Sequence, residues 1–335
     1  MSHGEDGCEL LVLSGADIRA LVSTAECVEL IDAAMRTVSS GGAILPLRNW
    51  VKIPGTTNLV GWMPGFLDAP PRIGVKLIGI FPENPHRGLP SHCGIVTLFD
   101  PELGLPRAVL DAATITSMRT AAASAVATRA LARTGAGDLA ILGTGEQAEA
   151  HLHALAVIGR LRRVRLWGRD PDKARQLAQR TGAALGLDIE VMAGVAQAVA
   201  GADVICTVTA AREPILRGEW VAPGTHVNLV GASVVEAREA DEALVLRSAY
   251  FVDYRPSAAA QAGELHAAVG PEGARDGRHV RGEIGEVLSG RVPGRTHADE
   301  VTVYKSLGIA AQDLALAGAA YERARALGRG TRARL

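Results

Sequence analysis

The chain has 335 residues, and Lys plus Arg (35) nearly match Asp plus Glu (36), for a net charge of −1. Apolar residues make up 48%, enough for a buried core, whereas the balanced charge and only 4% aromatics exclude a basic nucleic-acid surface and a base-stacking platform. No apolar run approaches the ~18 residues of a membrane span. The opening from Met1 to Gly7 is polar and acidic, unlike a signal peptide. Cys8, Cys27, Cys93 and Cys206 show neither a CxxC pair nor zinc-like spacing, so free thiols, no metal and a cytoplasmic location are expected.

In chain order, Glu9 to Leu13 reads as a strand and Ser14 as the N-cap of a following helix. Thr24 to Ser40 places Val28, Ile31, Ala34, Met35 and Val38 at helical spacing, ended by Gly41-Gly42. β-branched runs follow at Asn49 to Ile53, Leu59 to Met63, Ile73 to Ile80 and Gly94 to Phe99, with a proline-rich loop from Phe81 to Pro90. An Ala-rich helix is expected from Thr114 to Arg133. Strands and helices then alternate: Leu139 to Leu142, a helix from Glu146, Arg163 to Trp167, and a helix from Pro171 to Arg180. Further strands are expected at Ile189 to Met192, Asp203 to Thr209, His226 to Val230 and Tyr250 to Tyr254. Such alternation predicts a parallel sheet covered on both faces. Gly270 to Arg281 reads as a surface loop, and Gly308 to Leu327 as a last helix that returns to the first domain.

The sharpest motif is Leu142-Gly143-Thr144-Gly145-Glu146-Gln147-Ala148, at the end of a predicted strand and the start of a helix. Gly143 permits the tight turn, Gly145 lets backbone approach a pyrophosphate, and Ala148 stands where helix meets strand. Gly143, Thr144, Gly145, Gln147 and Ala148 are therefore candidate cofactor-binding positions. The second strand ends in Trp167-Gly168-Arg169-Asp170-Pro171. Asp170 before Pro171 reads as the next helix's N-cap. Gly168 offers no carboxylate to a ribose, which leaves Arg169 for a 2′-phosphate and favours NADP over NAD.

The first domain places cations in apolar company. Lys76 lies in Ile73-Gly74-Val75-Lys76-Leu77-Ile78, Arg119 opens Arg119-Thr120-Ala121-Ala122-Ala123, and Arg48 precedes Asn49. Singly, each fits a solvated side chain. Together they can grip a small carboxylate, with Arg supplying a bidentate fork.

Leu89-Pro90-Ser91-His92-Cys93, Ser117-Met118-Arg119-Thr120-Ala121-Ala122, the run Glu213 to Trp220, Gly224 to Ser233, and Lys305-Ser306-Leu307-Gly308 resemble the ornithine cyclodeaminase/mu-crystallin family, from about Leu11 to Tyr321. The resemblance implies a Rossmann-type doubly wound α/β domain, residues 126–310, beside an α+β substrate-binding and dimerisation domain, residues 1–125 with 311–335. It implies a homodimer, with substrate held in the cleft between domains. It also assigns carboxylate binding to Arg48, Lys76 and Arg119. Lys76 is the first candidate proton donor and His92 the second, with a hydrogen-bonded structural role for His92 equally open. Thr207, Thr209 and Ser306 are further cofactor candidates, and Ser233 a substrate contact.

Two positions depart from the cyclodeaminase pattern. That pattern has an Asp where this chain has Ser233 and a Glu where it has Gly61. Without those carboxylates the resemblance points to NAD(P)H-dependent reduction of a small α-imino acid, such as Δ1-pyrroline-2-carboxylate or its piperideine analogue. An amino-acid dehydrogenase, an opine-like imine reductase and a non-catalytic ligand carrier remain open as alternatives.

Overall fold

A computed structural model describes residues 9–334; the polar opening from Met1 to Gly7 and Cys8 lie outside them. The chain begins with β1 (Glu9–Leu13), α1 (Gly15–Leu21) and α2 (Thr24–Ser39). Strands β2 (Ala43–Ile44), β3 (Asn49–Lys52), β4 (Leu59–Leu67), β5 (Arg72–Ile80), β6 (His92–Phe99) and β7 (Pro106–Asp111) follow, and then α3 (Ala112–Leu131). Next come β8 (Asp138–Leu142), α4 (Glu146–Ile158), β9 (Arg163–Trp167), α5 (Pro171–Leu185), β10 (Ile189–Val191), α6 (Val195–Val199), β11 (Val204–Thr207) and β12 (His226–Leu229). The last third holds α7 (Glu242–Leu246), β13 (Ala249–Val252), α8 (Arg255–Gln261), α9 (Gly263–Asp276), β14 (Val280–Glu283), α10 (Ile284–Leu288), β15 (Thr302–Lys305), α11 (Ala310–Leu327) and β16 (Thr331–Arg334). Contacts divide these elements into two compact units, one running to Arg119 and resuming at Ile309, the other from Thr120 to Gly308.

The first unit is built on an eight-stranded sheet in the order β16-β1-β7-β6-β5-β4-β2, with β3 also paired to β4. All its pairings are antiparallel except β1 with β7. Capping boxes at Ser14–Asp17 and Ser23–Glu26 start α1 and α2, satisfying N–H groups that a helix start leaves unpaired. The Ala-rich α11 packs on α2 and on β4, β5 and β6, covering one sheet face. Burial alternates accordingly along β5: Arg72, Gly74, Lys76 and Ile78 point inward, and Ile73 and Leu77 outward. The outward face keeps Val51, Val60, Trp62, Leu77 and Ile95 exposed.

The second unit is an all-parallel eight-stranded sheet in the order β10-β9-β8-β11-β12-β15-β13-β14. Strand order reverses between β8 and β11, the switch point beyond whose carboxyl ends such sheets bind ligands. Leu142, Ile205, Val227, Tyr250 and Val303 fill its core. Asp170 caps α5 through the N–H groups of Asp172 and Lys173, as the sequence predicts.

One expectation fails. Gly270 to Arg281 is not a loop: it holds the second half of α9 and the start of β14. Pro271 disrupts only the helix's continuity. Gly270, at φ 73°, takes up the kink, and Pro271 then stands at the first turn of the resumed helix, where its missing N–H costs nothing. Among the described residues no helix is long and apolar enough to cross a membrane.

Candidate active site

In the first unit β5 carries Lys76 on its buried face, and α11 crosses that face with Asp313 and Gln312. Lys76 Nζ donates to Asp313 Oδ1 and to Thr116 Oγ1, both at 3.1 Å. Arg119, near the middle of α3, donates from Nε to Asp313 Oδ1 at 3.0 Å and from Nη1 to Gln312 Oε1 at 2.8 Å. Lys76, Arg119 and Asp313 are 3%, 5% and 1% exposed. Two buried cations around one buried carboxylate leave one positive charge in excess, and unpaired buried charge is costly. A monoanionic ligand would neutralise it. One N–H of Lys76 and the Nη2 of Arg119 remain unengaged among the described residues to receive that ligand.

Burial holds the Lys76 ammonium down at about 8, opposed by the attraction of Asp313 and assisted by Arg119 and Arg48. The effect of Arg48 on Lys76 places its charge in the same neighbourhood, although Arg48 itself is only half-buried. His92 starts β6 on the Lys76 face, with Nδ1 2.9 Å from Ser91 Oγ. Partial enclosure first, and the Lys76 charge second, lower its imidazole below the usual value. The first unit thus brings Arg48, Lys76, His92 and Arg119 together. Gly61 lies on the same face, paired with Trp50 on one side and Ile78 on the other.

In the second unit the glycine turn sits at the switch point. Gly143, at φ 133°, runs against Val208, whose carbonyl oxygen would lie 2.6 Å from any Cβ there. Gly145 is the N-cap of α4 with no side-chain cap, and a Cβ on it would meet nothing within 4 Å. Open space beside uncapped first-turn N–H groups is what a pyrophosphate requires. Gln147 Oε1 and Ser306 Oγ are buried without partners, so the Ser306 hydroxyl can donate to a ligand and the Gln147 amide oxygen can accept from one. Ala148 is fully buried where α4 meets the sheet.

At the tip of β9 the Thr144 side chain packs on Gly168, with Cγ2 only 2.3 Å from where a Cβ would stand. No carboxylate fits at 168 unless Thr144 moves. Arg169 is exposed and has no ion-pair partner among the described residues. It borders a pocket of about 490 Å³ lined also by Trp167, Pro171, Arg175 and Met192. These features fit a dinucleotide.

Thr207 and Thr209 turn out to serve a residue that the sequence reading misses. Both hydroxyls donate to the carboxylate of Glu239 at 2.7 Å, which also accepts from the N–H of Thr209 at 2.7 Å and of Gly231 at 2.6 Å. Burial raises the Glu239 carboxyl above the usual range despite these donors. Lys305 pairs with Glu264 at 2.8 Å and donates to the Ala232 carbonyl at 2.6 Å. Asp253 accepts from the N–H groups of Leu307 and Gly308 at 2.8 and 2.6 Å. Together these pin the loops beyond β11, β12 and β15. Ser233, in the loop after β12, is half-buried and has no hydrogen bond among the described residues. Like Asp313, the acids lie far in sequence from much of what they hold, Glu239 30 residues beyond Thr209 and Asp253 54 before Leu307, and no local pattern announces them. Among the described residues no group of three His, Cys, Asp or Glu side chains is placed to hold a metal.

A doubly wound sheet with this glycine turn, in one chain with a two-cation cluster, defines a dinucleotide-dependent oxidoreductase. The chain belongs to the ornithine cyclodeaminase/mu-crystallin family, whose profile matches residues 9–328. It is 37% identical over 305 residues to ketimine reductase mu-crystallin of Mus musculus, covering 90% of this chain and 93% of that one. The structure of Thermococcus litoralis Δ1-pyrroline-2-carboxylate reductase in complex with NADH and L-proline superposes with a TM-score of 0.92 at 33% identity, covering 96% of this chain and 99% of that one. An archaeal alanine dehydrogenase dimer with bound NAD gives 0.91 at 30% identity, covering 98% and 99%.

Proposed function

We propose that the protein reduces a cyclic α-imino acid, a ketimine carboxylate of the Δ1-pyrroline-2-carboxylate or Δ1-piperideine-2-carboxylate type, to the corresponding amino acid, with NADPH as the preferred reductant. The observation that carries this reading is the single excess positive charge buried at Lys76, Arg119 and Asp313, which matches one carboxylate. The relatives that act on ketimines and pyrroline carboxylates support the same substrate class.

Gly143, Thr144, Gly145, Gln147, Ala148 and Ser306 would hold the dinucleotide, and Arg169 its 2′-phosphate; when bound, the reduced nicotinamide supplies a hydride to the C=N carbon. Thr207 and Thr209 shape that site through Glu239. Arg119 binds the substrate carboxylate through its unengaged edge, Arg48 adds charge, and Gln312 and Asp313 hold the guanidinium in place. Lys76 carries a proton that an ammonium near pKa 8 gives up readily at neutral pH, so it protonates the imine nitrogen. His92, lower in basicity, is the second candidate. Ser233 contacts the substrate without a charge.

The outward apolar face of the first unit, with Val51 56% and Val60 42% exposed, supports a homodimer, as does the dimeric archaeal relative. Free thiols at Cys27, Cys93 and Cys206 support a cytoplasmic location. The test is NADPH consumption with each cyclic ketimine at neutral pH, with the amino acid product identified by chromatography. Steady turnover is expected. Tight NADPH binding without turnover would instead indicate a ligand carrier, and rapid proline and ammonia formation from ornithine with NAD⁺ would indicate a cyclodeaminase. Neither is expected, because Ser233 and Gly61 supply no carboxylate to assist the attacking amine.

A further inference from the structure

Trp50 is the residue on the Lys76 face whose position asks for an explanation. It pairs with Gly61 across β3 and β4, and its ring lies flat on that glycine: Cε3 and Cζ3 stand 2.3 Å, and Cδ2 3.1 Å, from where a Gly61 Cβ would be. A Cβ at position 61 would force the ring to move. Gly61 pairs in turn with Ile78, one inward position along β5 from Lys76, which faces Met63. Inward positions on a strand are ~7 Å apart and strands ~4.8 Å apart. The ring over Gly61 therefore stands on the Lys76 face, one strand and one inward position from Lys76, a separation that matches the length of a small ring.

The chemistry of the wall matches its shape. Trp50, Ile78 and Met63 present only apolar atoms apart from the indole N–H, and β3 to β6 contain no Asp or Glu at all. Trp50 is nonetheless only half-buried, so its ring is not simply core filling.

We propose that Trp50, seated on Gly61, sets the length limit of the substrate: it closes the end of the site opposite Lys76 with an apolar ring, so that compact imino acids fit and longer ones do not. This rests on the imino-acid reading above. Trp50→Ala opens the space over Gly61, while Trp50→Phe keeps an aromatic wall.

The experiment compares wild type and both variants, loaded with NADPH, on Δ1-pyrroline-2-carboxylate and on the same ring carrying a butyl group distal to the carboxylate. A single extra methylene in an apolar pocket is worth about 10–200-fold, and a butyl group is larger than that. Trp50→Ala should therefore raise kcat/KM for the butyl substrate relative to the parent at least about tenfold, and Trp50→Phe should leave that ratio near wild type. In parallel, titration calorimetry of the NADP⁺-loaded proteins with L-proline and L-norleucine reads the same limit without turnover. Norleucine should gain on proline only in the alanine variant.

If wild type turns over no ketimine but the calorimetric ratio shifts, the reaction assignment falls and the role of Trp50 stands. Ratios unchanged by Trp50→Ala, a parallel loss for both ligands of each pair, or no binding of either amino acid to any of the three proteins would overturn the proposal.

Discussion

At the scale of single residues, Lys76 and Asp313 make the pH dependence of the reaction predictable. Burial has brought the Lys76 ammonium down to about 8, so its proton and charge are present below that pH and lost above it. kcat/KM for a ketimine should fall as pH rises through about 8. Asp313 opposes the depression, so Asp313→Asn should move this alkaline limb to lower pH, read from full pH profiles of both proteins. An unmoved limb would assign the titration to another group. Arg119→Leu tests the grip itself. Removing one partner of a desolvated charge pair costs roughly 2–5 kcal/mol, so kcat/KM should collapse while NADPH affinity barely changes. Comparable losses in both would instead place Arg119 in the fold or at the cofactor.

At the scale of elements, the proposed preference for NADPH rests on the tip of β9. Thr144 occupies the space where a carboxylate at 168 would stand, and Arg169 projects from the next position without a partner among the described residues. Arg169→Ala should raise the KM for NADPH far more than that for NADH. Tighter binding of NADH than NADPH by the unaltered protein would refute this reading. The β9 tip was legible in the sequence because its turn, cap and glycine are neighbours in the chain, and Asp170 caps α5 as expected. The cation grip was legible only in part. Lys76 and Arg119 stand out as charges in apolar runs, but their joint anchor, Asp313, arrives on α11 from 237 residues beyond Lys76. The Glu239 and Lys305–Glu264 networks are hidden for the same reason. The second half of α9 was misread because Gly270 and Pro271 spell a turn locally, whereas packing lets the helix resume after the kink. Trp50 over Gly61 depends on β3 pairing with β4 in one particular register, which residue types alone do not specify.

At the scale of the whole molecule, the uncovered sheet face of the first unit argues for self-association. Val51, Val60, Trp62, Leu77 and Ile95 lie on one side of adjacent strands, with Trp62 paired to Leu77 and Leu77 to Ile95. Contiguous apolar surface of this kind marks an interface. Sedimentation velocity should show a dimer for the unaltered protein and a monomer for Trp62→Glu, which would place a charge in the middle of that face. A wild-type monomer at micromolar concentration would refute the assignment. The first unit is also discontinuous: Glu9 lies opposite Arg334 in the β1–β16 pair, and the whole of the second unit is inserted between Arg119 and Ile309. During synthesis, Lys76 and Arg119 therefore leave the ribosome long before Asp313 exists to neutralise them, and the second unit can be complete while the first still lacks α11 and β16. A circular permutant that begins at Ile309 and links 334 to 9 would reverse this order. Both units would become continuous stretches, and the carboxylate would be waiting when its two cations emerged.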